Sequence, residues 1–157
     1  MFKISFLPLI ILVLFSAVQD PESELTKFWE EASRTVQDGD FKGYAYTFHK
    51  DAVLVNGISG NSYPISNALE GWKKGFEDTK AGKMKASVEF RFSERFYSET
   101  TSFETGIFKY SSQNKGEQES TVYIHFEALL TKASGKWKLL MEHQVSVATE
   151  DEWNSIK

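Results

Sequence analysis

Gly135-Lys136-Trp137-Lys138-Leu139-Leu140-Met141-Glu142-His143 decides how this chain folds. A glycine turn opens the stretch, and the residues after it read as a strand. Successive side chains of a strand point to opposite sides, so positions 137, 139, 141, 143, 145 and 147 share one face. That face reads Trp, Leu, Met, His, Val, Val. It predicts the inner wall of a curved sheet with one titratable imidazole set into an apolar row, the signature of a small-molecule pocket.

Toward the N-terminus, Ser120 to Thr131 reads as the preceding strand, with Lys132-Ala133-Ser134-Gly135 as the turn. Two registers are open. If Thr131 pairs with Lys136, then Ile124, Phe126, Ala128 and Leu130 share the face of Trp137, Met141 and His143. A one-residue slip exchanges faces and sets Tyr123, His125, Glu127 and Leu129 there, making a His125-His143-Glu127 cluster. The first register buries more apolar surface. Phe103 to Ser111 is the strand before that, entered through Glu99-Thr100-Thr101. From Met84 the period is also two: Val88, Phe90, Phe92 and Phe96 share one face, while Glu89, Arg91, Ser93 and Arg95 share a solvated one.

The N-terminal half is helical. Asp20-Pro21-Glu22-Ser23-Glu24 has the marks of a helix start: a capping side chain, a first-turn proline and acids at the positive end of the dipole. Leu25, Phe28, Trp29, Ala32 and Val36 form its stripe, and Asp38-Gly39 ends it. Asp40 caps a shorter helix carrying Phe41, Tyr44 and Phe48. Ala52-Val53-Leu54-Val55 is a short strand closed by Asn56-Gly57, a strong turn signal. Gly60 to Pro64 reads as loop. Ile65, Leu69, Trp72 and Phe76 mark a third amphipathic helix ending near Gly82. Helices first and long antiparallel strands after is an α+β order, with the helices on one side of the sheet.

A length of 157 residues suits one domain. The chain has no Cys, which removes disulfides, thiol nucleophiles and Cys-based zinc sites. A net charge of -4 without a basic run gives no footprint for nucleic acid. Residues 1–19 read as a signal peptide: Lys3, an apolar run from Phe6 to Phe15, then Ala17 at minus three for a cut before Asp20. That run is roughly half of the ~20 residues a spanning helix needs. No Cys follows it to carry a lipid. The expectation is an exported domain over 20–157 with no stable membrane anchor.

The order of these pieces resembles the nuclear transport factor 2-like superfamily, in its SnoaL-like and ketosteroid-isomerase-like branch. The residues that carry the likeness are Phe28-Trp29, Gly39-Asp40-Phe41, His49-Lys50-Asp51-Ala52-Val53, Ile65 to Trp72, Gly106-Ile107-Phe108-Lys109-Tyr110, and Gly135 to Leu139 followed by His143. The resemblance implies a cone: a strongly bent mixed sheet around three helices, with a pocket at the wide end and homodimers through the sheet's outer face. Trp29, Tyr44, Phe48, Trp72 and Phe90 are then expected at the pocket, together with Phe108, Phe126, Trp137, Met141 and His143.

His143 is the first candidate for chemistry, since an ordinary imidazole titrates near neutral pH. The plainer alternative is a core histidine paired with a carbonyl or a Tyr hydroxyl. Asp51, near the pocket mouth by the same resemblance, is the second; the alternative is a helix-terminating cap. Tyr44, Tyr46, Tyr63 and Tyr110 are candidate donors to a ligand oxygen. No Asp occurs between Asp78 and Asp151, which counts against ketosteroid isomerase chemistry by its usual residues and against a cyclase with a strand Asp. No metal site or cofactor is expected. Glu150-Asp151-Glu152 reads as a solvated tail. The expected partner is a small apolar or mixed-polarity molecule. A cavity filled by the chain's own Phe and Trp rings, leaving an interaction module, is the alternative.

Overall fold

The computed structural model describes residues 20–157. The signal peptide read over residues 1–19 lies outside the described residues. Helix α1 (Pro21–Asp38) begins with proline and places Glu22 and Glu24 in its first turn, where acids favour the dipole. Asp40 caps α2 (Phe41–Thr47), accepting from the Gly43 amide at 3.0 Å. Strand β1 (Phe48–Asn56) continues directly from it. The Asn56-Gly57 turn returns the chain as β2 (Asn61–Pro64). This segment, expected as loop, pairs antiparallel with β1 from Val53 to Asn56. Helix α3 (Ile65–Lys80) then leads to four long strands, β3 (Met84–Tyr97), β4 (Thr101–Asn114), β5 (Ser120–Ala133) and β6 (Lys136–Ala148), and a short helix α4 (Glu150–Ser155).

The six strands form one curved mixed sheet in the order β2-β1-β6-β5-β4-β3. Only β1 against β6 is parallel among its neighbouring pairs. Helices α1 to α3 pack on the inner side. Leu25 and Trp29 of α1 meet Leu54, Phe126, Ala128, Leu130 and Leu139 in the main core. The α+β expectation holds, from the change of hydrophobic period at Met84 onward.

Strands β3 and β6 depart from simple alternation at three places, and each turns side chains over. In β3 the register steps across Ser93: Phe92 pairs with Gly106, but Glu94 pairs with Thr105. An extra residue on one strand bends it and exchanges the faces beyond. Arg95 therefore enters the interior, where its Nε donates to Glu104 Oε1 at 2.7 Å, and Phe96 is 61% exposed. This corrects the reading of Arg95 as solvated and of Phe96 as inner. In β6 the register steps across Leu140 and again across Val145.

The outer face is partly covered. Thr149 and Glu152 form a reciprocal capping box, which starts α4 and drops Trp153, 4% exposed, onto Ile107 and Ala148. The Arg91 guanidinium lies 4.3 Å over the Trp153 ring, and its Nη1 donates to the Trp153 and Ile156 carbonyls at 2.8 and 3.0 Å. Residues 150–152 are thus the exposed first turn of a helix rather than a tail, and Arg91 is a clamp beneath it rather than a free solvated group. The T-x-x-E spacing of Thr149 to Glu152 is the sequence signal for this cap. Replacing Thr149 with alanine is expected to loosen α4 by about 1 kcal/mol. Amide exchange near Trp153 should accelerate while the global unfolding midpoint stays nearly fixed.

Candidate functional site

A cavity of about 510 Å³ lies between α3 and the inner face of β3 to β6. Helix α3 contributes Gly71, Trp72, Gly75, Phe76 and Thr79; the strands contribute Phe90, Phe108, Tyr110, Ile124, Glu142 and Gln144; Val36 and Tyr44 close one side. Gly71 and Gly75 are part of why the space exists. A glycine inside a helix costs about 1 kcal/mol against alanine, yet two occur one turn apart on the wall. A Cβ built on Gly71 would meet nothing within 4 Å.

The polar end of the cavity arises from the step across Leu140. Trp137 and Leu139 point inward as the alternation predicts. Beyond Leu140, Ala128 pairs with Glu142 and Phe126 with Gln144, so these two polar side chains join the face of the buried Phe126 and Ala128. Met141 and His143 turn outward beside Leu129 and Glu127. His143 Nδ1 lies 2.9 Å from Glu127 Oε2. His143 and Met141 therefore do not line the cavity, a correction that rests on one inserted residue. Of the alternative three-member cluster only the Glu127–His143 pair forms, while His125 faces Glu152 at 3.4 Å. Among the described residues no group of His, Cys, Asp and Glu has a metal-holding arrangement.

Tyr44, Trp72, Phe90 and Phe108 line the cavity. Trp29, Phe48, Phe126 and Trp137 lie in the packed core instead, and indole hydrogen bonds anchor two of them: Trp29 Nε1 to Glu104 at 2.5 Å and Trp137 Nε1 to Glu24 at 2.8 Å. Asp51 is exposed on β1, 2.5 Å from Lys50 Nζ; it neither caps a helix nor reaches the cavity. Tyr46 is exposed beneath Lys138. Tyr63 packs on the core, and Tyr110 lines the cavity.

Glu142 is the acid that the Asp-free stretch conceals. Its retained surface opens onto the cavity, and burial pushes its carboxyl above the usual glutamate range; the Gln144 hydrogen bond, at 2.9 Å, pulls the other way. Burial also raises the Tyr44 phenol, helped by the charge of Glu142 and by Tyr110. Desolvation disfavours whichever form is charged, so burial shifts both groups towards their neutral forms. A sequence signal for this site exists: Leu139-Leu140-Met141 is three apolar residues in a row where alternation requires a polar one.

The raised carboxyl has a consequence for stability. A carboxyl that holds its proton to higher pH when folded than when unfolded makes stability fall as pH rises from the ordinary glutamate range towards the raised native value. Glu142→Gln removes that slope. Urea unfolding at pH 4 and at pH 7.5 should show the variant gaining on the native protein at the higher pH. An equal difference at both would show that Glu142 titrates normally.

No protein-family model and no curated sequence matches the chain. Solved structures do. A nuclear transport factor 2-like protein of unknown function from Shewanella oneidensis superposes with a TM-score of 0.60 at 16% identity, over 79% of this chain and 98% of that one. The fold is nuclear transport factor 2-like. A second such protein of unknown function, from Prochlorococcus marinus, gives 0.59 at 16% identity over 84% and 97% of the two chains. A ketosteroid isomerase-like protein from Erwinia carotovora gives 0.58 at 14% over 77% and 92%. Identities this low establish a nuclear transport factor 2-like architecture and leave activity to the site.

Proposed function

We propose that this chain is an exported, small-molecule-binding domain whose ligand sits between α3 and the sheet with its polar group at Glu142 and Gln144. The carrying observation is the cavity itself: about 510 Å³, within the roughly 300–1,000 Å³ of ordinary ligand sites, largely apolar and polar at one end. A self-filled interior is disfavoured, because the chain's own rings leave that volume open. The ligand is apolar or of mixed polarity. Export rests on the Lys3 and Phe6 to Phe15 pattern, and N-terminal sequencing of the mature protein beginning at Asp20 would support it. A homodimer would use the outer face left free by α4, where Val53, Phe96 and Phe103 are exposed.

Native mass spectrometry of the purified protein tests the binding reading through a retained small molecule. Gly71→Leu supplies the control. It fills the cavity from a helix position with open space in front of it, and leucine propagates a helix better than glycine by about 0.8 kcal/mol. The expected result is loss of the retained mass with unchanged or higher thermal stability. A protein that holds nothing, and whose stability no small-molecule panel raises, would sink the reading.

A further inference from the structure

We infer that the cavity selects a hydrophobic organic cation, an amine whose ammonium meets the Glu142 carboxylate while its hydrocarbon body lies among the rings. This deepens the ligand-binding reading above and rests on it. Among the described residues lining the cavity there is no Lys, Arg or His, and Glu142 is the sole carboxylate. Elsewhere in this protein inward-facing acids have cationic partners: Arg95 for Glu104 and Lys132 for Glu24. Glu142 has an amide. Gln144 Nε2 donates to its Oε1 at 2.9 Å. Oε2 is neither bonded to another described residue nor sealed from the cavity.

A carboxyl without a cationic partner has two complements. A neutral acceptor takes one hydrogen bond from the protonated acid. A cation pairs with the carboxylate and gains a charge-assisted bond, roughly twice as strong as a neutral one. The wall decides between them. Tyr44, Trp72, Phe76, Phe90, Phe108 and Tyr110 bring six aromatic rings to the cavity, and ring faces are negative and attract cations, most strongly where water is excluded. An anionic ligand finds no counter-charge at all.

Three probes of similar length test this by calorimetry at pH 7.5: phenylbutylamine, phenylbutanol and phenylbutyric acid. The amine is expected to bind about tenfold or more tighter than the alcohol, as a charge-assisted bond requires, with the acid weakest. Glu142→Gln, which keeps shape but cannot ionise, should bring amine and alcohol to within about threefold. An alcohol that binds as well as the amine to the native protein overturns the cation inference and leaves the pocket reading standing. So does an amine preference that survives Glu142→Gln. If no probe binds and no retained mass is expelled by Gly71→Leu, both readings fall.

Discussion

Gly106→Ala is expected to destabilise this protein by about 3 kcal/mol, at the top of the usual range for adding a methyl group to a packed site. A Cβ on Gly106 would stand 2.0 Å from the Arg91 carbonyl oxygen and 2.9 Å from Phe92 Cα. Both are backbone atoms, so no rotamer change relieves the contact; β3 and β4 would have to separate. The damage should spread, because Gly106 lies opposite Phe92, the last pair before the register steps across Ser93. Glycine there permits the close strand approach at which bulges commonly form. Urea unfolding measures the cost, with Gly71→Ala as the matched control, since that methyl meets open space. Equal midpoints for the two variants would show that the β3–β4 pair yields freely and that Gly106 holds nothing in place.

Arg95→Met is expected to cost about 3–5 kcal/mol, the penalty for breaking a buried ion pair by removing one partner. Glu104 is 0% exposed. Its Oε1 accepts from Arg95 Nε at 2.7 Å and its Oε2 from Trp29 Nε1 at 2.5 Å. The guanidinium also rests 4.5 Å from the Phe92 ring centre and reaches Thr26 Oγ1 at 3.2 Å. Methionine keeps much of that packing and removes the charge, which strands the carboxylate. The double variant Arg95→Met/Glu104→Gln should recover most of the loss, because a buried pair is often worth little against uncharged groups of similar size. If the single and double variants unfold alike, the cost lies in packing and not in the unpaired charge.

These variants mark where local patterns stop informing. Elements are legible because their signals are short-range: the Asp40 cap, the Asn56-Gly57 turn, the helical stripe through Trp72 and Phe76, and the switch to a period of two at Met84. The face a residue occupies is legible only up to the first irregularity in its strand. Val88, Phe90 and Phe92 face inward as alternation requires, and so do Trp137 and Leu139. Past Ser93 and past Leu140 the assignment inverts. Arg95 and Glu142 then go inside, while Phe96 and His143 go outside.

The candidate site suffers most from this. Tyr44, Trp72, Phe90 and Phe108 are readable as cavity residues because nothing intervenes between their local pattern and their position. Alternation makes His143 the pocket's polar group, yet the residue beside it in the chain, Glu142, occupies that wall. The triple Leu139-Leu140-Met141 hints at an inserted residue, but three apolar positions do not say which one the partner strand skips.

The chain's own residues thus determined its helix ends, the placing of its long strands, and an apolar interior rich in rings. Tertiary pairing determined which titratable group enters the cavity. The physical reason is that a helix cap or a turn is satisfied within a few residues, whereas a strand's register is set across to its neighbour. There a missing Cβ at Gly106, or the fit of Leu139 and Met141 against Leu130 and Leu129, settles which side chains turn inward.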